Sequence, residues 1–241
     1  MSICHRTAPR VATLMLFSVI LISPGCGSIG KDKQADFLKP FATKSSNTRG
    51  RTAPMPSEHT LCVETANAVA SQGHAKEAIK LYERAESLDP SASSIDAKLA
   101  PLYASVGNHP AAIERYQRCV SQSPDDIELS NNFAWTLMEA GRYDQALAEA
   151  TRGLQIDGDH ARLQSTLAMI HYRQGDHAKA FQGFEKAHGS IAAHHNLSLL
   201  EIDSGNLDSA KGHLRIAKQS TEPNSQAEVL LTALETQPSQ H

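Results

Sequence analysis

The chain has 241 residues and a formal charge of −3 from 23 Lys+Arg against 26 Asp+Glu, with 40% hydrophobic and only 5% aromatic residues. That length allows one or two domains, and the scarcity of aromatic residues argues against a large all-β sandwich and for a helical protein. The near-balanced charge lacks the basic excess of a nucleic-acid binder, so no nucleic-acid partner is expected.

Residues 1–26 read as a signal segment. His5, Arg6 and Arg10 make a weakly basic start, and Val11 to Ile22 is an apolar run. A hydrocarbon core needs about 20 apolar residues, so this run is too short to span it. Ser23-Pro24-Gly25 precede Cys26, and Gly27 and Ser28 follow. Small residues around a cysteine resemble the lipobox of bacterial lipoproteins, although Ser23 stands where that motif usually has leucine. The resemblance implies acylation of Cys26 as the first mature residue, a membrane anchor and a place in the bacterial cell envelope, facing the periplasm or exterior. An uncleaved anchor and a plain secreted chain are the alternatives. Cys4 falls in the removed segment, and Cys62 and Cys119 are expected as two buried, unpaired thiols on non-adjacent helices.

Residues 27–57 lack periodicity and read as a disordered tether rich in Lys, Ser, Thr, Gly and Pro. Six basic residues against Asp32 and Asp36 give this stretch +4, while residues 58–241 carry −9. The reading is a basic spacer that lifts an acidic body off a membrane.

In the body, Gly73, Gly107, Gly141, Gly175 and Gly205 recur at intervals of 34, 34, 34 and 30 residues. Five residues after each stands an alanine: Ala78, Ala112, Ala146, Ala180 and Ala210. Nine after stand Tyr82, Tyr116, Ala150, Phe184 and Leu214, and seven before stand Ala66, Ala100, Ala134, Ala168 and Ser198. Small residues at fixed spacing let two amphipathic helices cross closely, and a glycine between them turns the chain at positive φ without a Cβ clash. Pro90 and Pro124 end second helices by forcing the preceding residue out of the α region. Ser93 with Asp96 and Asp125 with Glu128 are the expected restart caps.

These columns resemble the tetratricopeptide repeat over about residues 59–223. The resemblance implies an all-α, right-handed α-solenoid of about five helix pairs, near 59–92, 93–126, 127–160, 161–190 and 191–222. Pro101 falls inside a first helix, where it removes one ladder bond and predicts a kink. Gly158 replaces the third proline, and the fourth unit is four residues short at His188-Gly189-Ser190. In 223–241, Ser225 and Glu228 open a capping helix over Gln226 to Leu234, with Val229, Leu230 and Leu234 as its apolar stripe.

No nucleophile elbow, phosphate-binding glycine loop or paired-cysteine metal motif is present, so neither enzyme activity nor a cofactor is expected. His171 and His177 flank a turn, and His194-His195 point apart on a helix, so the histidines read as solvated or core residues. In the family the first helices line a concave groove. The corresponding positions are Asn67, Lys98, Asn131, Asn132, Trp135, Met138, Arg162, Met169, Tyr172, Arg173, His195, Asn196 and Leu199. Trp135, Met138, Met169 and Tyr172 would make an adaptable apolar floor, with Arg162 and Arg173 as walls and Asn131 and Asn132 facing a peptide backbone. Packing between helices is the competing role for Trp135 and Met169. The carboxylate clamp of some family members is matched by Asn132 and Arg162 but not at Ala97, Pro101 and Thr166. The expected function is a membrane-tethered scaffold that takes a protein or peptide partner in its groove, as an assembly factor for a pilus or secretion apparatus. The alternative is a structural subunit of an envelope enzyme or transport complex with no groove ligand.

Overall fold

A computed structural model of the protein describes residues 55–92, 94–219 and 225–236. The signal segment with Cys26, the tether as far as residue 54, and Ser93 lie outside the described residues. Among those described, eleven helices and no strand are present. They run α1 Glu58–Ser71, α2 Ala75–Leu88, α3 Asp96–Ser105, α4 His109–Gln122, α5 Ile127–Glu139, α6 Tyr143–Ile156, α7 Ala161–Arg173, α8 His177–His188, α9 Ser190–Asp203, α10 Leu207–Lys218 and α11 Gln226–Thr236. Odd and even helices pair into five hairpins, each stacked on the next in a right-handed α-solenoid, with α11 closing the end against α10. Among the described residues no helix is long and apolar enough to cross a membrane.

Each hairpin turns at its periodic glycine, where φ lies between 73° and 84°. At Gly141 the backbone N–H of Arg142 donates to the Leu137 carbonyl at 2.9 Å and that of Gly141 to Met138 at 2.9 Å, which satisfies carbonyls left open at the end of α5. The same reach-back recurs at Asn108 to Tyr103, Asp176 to His171 and Asn206 to Glu201. A left-handed residue is needed there, and any side chain at that φ is strained.

The alanine columns pack at zero exposure: Ala66, Ala100, Ala134 and Ala168 on first helices against Ala78, Ala112, Ala146, Ala180 and Ala210 on second helices. Tyr82, Tyr116, Phe184 and Leu214 fill the space between units, and Tyr116 stacks on Phe133 at 5.8 Å between centroids. Asp89 before Pro90 and Ser123 before Pro124 leave the α region at ψ 86° and 71°. Asp157 does the same before Gly158, at ψ 98°, so the proline is not required for the break. The four-residue deficit of the fourth unit comes from α8, two residues shorter than α6, and from a one-residue link at Gly189, offset by one extra residue in α9. Pro101 lies inside α3, at ten residues the shortest of the first helices.

Three local expectations are corrected. The cap of α5 is Asp126, not Asp125: its Oδ1 accepts the Leu129 N–H at 2.9 Å. Helix α3 has Ile95 at its N-cap, with no side-chain bond there, and Asp96 turns inward, 5% exposed, its Oδ2 accepting the Ser94 hydroxyl at 2.8 Å; the expected partner Ser93 lies outside the described residues. On α11 the buried stripe is Ala227, Leu231 and Leu234, spaced four and three residues apart, and Val229 points outward at 58% exposure. Ser225 does open this helix, accepting the Glu228 N–H at 3.3 Å. Cys62 and Cys119 are buried, unpaired thiols on α1 and α4, as expected.

Candidate functional site

The first helices α1, α3, α5, α7 and α9 form one layer, in which α5 also touches α7 directly. Counting back from each periodic glycine sorts their residues. Positions ten, seven and three before the glycine lie three and four residues apart, so they share the face that carries the small-residue column, which is buried at all three positions in α5 and leaves Ala97 of α3 exposed. Positions thirteen, nine, six and two before it lie four, three and four apart and form a second stripe, exposed or half-buried except at Thr166, which is 4% exposed.

This geometry divides the predicted groove residues. Asn131, Met138 and Tyr172 belong to the inward face and are not groove lining. Asn131 is buried and its Oδ1 accepts the Thr166 hydroxyl at 2.8 Å, which ties α5 to α7. Met138 is 2% exposed within the main core cluster. Tyr172 is buried, its hydroxyl 3.0 Å from Ser204 Oγ and its ring edge-on to His177 at 4.9 Å. His195, at the same inward position of α9, is half-buried; burial lowers its pKa, and a bond with Gln226 of α11 opposes that shift. It serves the closure by α11.

The outward stripe keeps Asn67, Lys98, Asn132, Trp135, Arg162 and Arg173 exposed, with Met169 and Asn196 half-buried. Asn67 accepts the Tyr82 hydroxyl at 2.7 Å, so its carbonyl is engaged. The position six before each glycine reads Pro101, Trp135, Met169 and Leu199 along α3, α5, α7 and α9. Trp135 and Leu199 are 36% and 39% exposed, and Met169 packs partly into two neighbouring core clusters. This is a discontinuous apolar line on the outer stripe. Its flanks alternate in charge: Glu128 and Glu139 on α5, Arg162 and Arg173 on α7, Asp203 on α9. Arg162 is ion-paired to Glu128, which also receives His160 Nε2 at 3.4 Å.

A second set of polar contacts had no signal in the residue columns. The residue eleven before the glycine meets the residue eight after it in the second to fifth hairpins. In the second hairpin these are Asp96 and Arg115, 2.8 Å apart, and Arg115 also clasps Glu86 while Arg118 approaches Asp96 at 3.2 Å. In the third, Ser130 and Glu149 are joined by Arg152, which donates to Ser130 Oγ at 2.6 Å and to Glu149 Oε1 at 2.6 Å. In the fourth, Gly183 packs on Ala168 and the Gln164 carbonyl. In the fifth, His194 Nδ1 meets His213 Nδ1 at 2.9 Å. The residue types differ in every unit, so no column marks the register.

Among the described residues no group of three or more His, Cys, Asp and Glu side chains is placed to hold a metal ion.

Family models described as tetratricopeptide repeat match residues 63–127, 103–170 and 137–182. A tetratricopeptide repeat protein from Parabacteroides merdae aligns with a TM-score of 0.56 at 17% identity, covering 73% of this chain and 72% of that one. A thermophilic protein of the same repeat class from Thermus thermophilus gives 0.51 at 17% identity, covering 73% and 98%. A crystal structure of the MamA protein gives 0.54 at 20% identity, covering 67% and 91%. No curated protein sequence matches the chain. At these identities the likeness is one of fold.

Proposed function

Starting from a body built of tetratricopeptide repeats, we propose that this chain is a protein-interaction scaffold, held at a bacterial membrane through Cys26, whose outer stripe of first helices receives a segment of a partner protein. The observation that carries the reading is the apolar line of exposed Trp135, half-buried Met169 and exposed Leu199 in three successive hairpins. Tryptophan and arginine are among the residues most enriched at interaction hot spots, and here a tryptophan left one-third exposed stands beside a helix that carries two exposed arginines. Acidic α5, basic α7 and acidic α9 alternate beside that line, so the partner is a segment with apolar side chains flanked by charges of both signs. Arg162 and Arg173 favour carboxylates at its centre. Assembly of a pilus or secretion apparatus is the setting that an envelope-anchored scaffold fits, and that part of the reading rests on the lipobox resemblance at Cys26 alone.

The test is photocrosslinking in membranes of the native host, with a crosslinking residue at position 135 or, as control, at Thr151 on the exposed side of α6. Position 135 is expected to give a discrete adduct. Leu199→Ala, at the far end of the apolar line, should weaken that adduct only in part. Arg162→Glu should remove it while circular dichroism and melting stay unchanged. Equal labelling from Thr151, or a loss of fold in the Arg162 variant, counts against the groove. Intact mass of the same preparation reads the anchor: a chain beginning at acylated Cys26 supports it, and one retaining Met1 without lipid discards it.

A further inference from the structure

The two helices of the fifth hairpin are joined by a pair of histidines where the second hairpin has an ion pair. His194 of α9 and His213 of α10 occupy the register that holds Asp96 against Arg115. Their Nδ1 atoms are 2.9 Å apart and their ring centroids 5.2 Å, so the rings meet head-on and one Nδ1–H donates to the Nδ1 lone pair of the other. From this geometry we infer a proton-operated latch: the bond closes α9 on α10 while at least one ring is neutral, and the last hairpin loosens when both are protonated.

Three observations carry the inference. The first is the bond itself. One proton leaves it in place, because an imidazolium donates to a neutral ring; a second removes the accepting lone pair and sets two N–H groups and two positive charges against each other. The second is access: both rings are half-buried and line a cleft of about 410 Å³ between α8, α9 and α10, which solvent protons can enter. The third is the charge around the pair. Glu201 lines the cleft at 4% exposure, but its Oε2 accepts from Asn206 at 2.7 Å and its Oε1 lies 3.4 Å from His177 Nδ1 of α8, a third imidazole that competes for it. The carboxylates Glu228 and Glu235 of α11 pair with Lys218 and Arg215 instead, and on α10 Asp208 is 3.9 Å from Lys211. Burial and the charges of His194 and His177 hold the His213 pKa below its ordinary 6.5, against the pull of Glu201. The closed pair keeps its bond with one proton, whereas the open hairpin takes two, so closure weakens as the pH falls below the ordinary imidazole value.

The experiment is amide hydrogen exchange on the full-length chain in detergent, at about pH 7.5 and about pH 5, corrected for the intrinsic pH dependence of exchange. Acid is expected to speed opening of α9 and α10 about tenfold, the effect of one extra proton on the open form, while α3 to α6 keep their protection. His194→Asn with His213→Asn puts an amide nitrogen and an amide oxygen where the two Nδ1 atoms stand, which keeps a bond and removes both titrating groups. His194→Asp with His213→Arg transplants the ion pair of the second hairpin and does the same by another route. The variant that folds at the higher pH should lose the acid response of α9 and α10, although both retain His195 and its bond to Gln226. No acid response in the original chain overturns the latch, as does loosening spread evenly over the array. A response that persists in a folded variant also overturns it and moves the cause to His195. The measurement needs no partner, so its outcome is independent of the groove.

Discussion

Replacing Arg115 by alanine is expected to lower the stability of the array by about 3 kcal/mol, the scale for breaking a buried ion pair from one side. The Arg115 side chain is 18% exposed and that of Asp96 only 7%. One guanidinium serves Asp96 from the same hairpin and Glu86 from the preceding one, so it joins two repeats. Its removal leaves Asp96 buried with Arg118 at 3.2 Å as its remaining cation. Arg115→Lys should recover little, since an ammonium cannot present the planar fork that reaches both carboxylates. Urea unfolding of the two variants measures this; a loss below about 1 kcal/mol, the level of an exposed pair, would show that the network is solvated.

The same carboxylate predicts a pH effect. Burial pushes the Asp96 pKa up, but bonds from Arg115 and Ser94 and the charges of both arginines outweigh burial and hold it below its ordinary 3.8. A depressed carboxylate pKa gives stability that is complete above the unfolded value and is lost as the pH falls through the folded one. Melting temperature should therefore drop below about pH 4, and Asp96→Asn should flatten that part of the profile. An unchanged acid limb in the Asn variant would remove Asp96 as its source.

Leu163→Ala is expected to cost about 3 kcal/mol, within the range for emptying a fully buried leucine site. Leu163, in the first turn of α7, has zero exposure, and its Cδ2 lies 2.5 Å from where a Cβ on Gly153 of α6 would stand. The glycine is the hole and the leucine the knob at the crossing of the third and fourth hairpins. Gly153→Ala alone gains helix propensity of about 1 kcal/mol and loses more to the overlap with Leu163 and with Ser130 Cβ at 3.2 Å. In the double variant the new methyl enters the vacated space, so the two losses should add to less than their sum, by at least about 0.5 kcal/mol. Strict additivity in a denaturation cycle would mean that the helices part rather than interlock.

The fold was legible because its grammar is local and repeated. A glycine at positive φ, an alanine where helices cross and a large side chain between units are each demanded by backbone approach, and the demand returns after 34 residues three times and after 30 the fourth. The groove was legible only in part. Trp135, Arg162, Met169 and Arg173 stand on the outer stripe or at its edge, whereas Met138 and Tyr172, read as floor, are core. Methionine and tyrosine suit either place, and one or two positions along a helix carry a side chain from one face to the other.

What the sequence determined by itself, then, was the number of hairpins, their turns and the small residues that let them stack, since steric limits on backbone approach admit few residue types. The tertiary structure decided which polar groups meet. Asp96 with Arg115, Ser130 with Glu149 through Arg152, and His194 with His213 share one register yet no residue type. Any pair that satisfies its own donors and acceptors can be buried there, so the choice becomes visible only when the two helices of each hairpin are laid together.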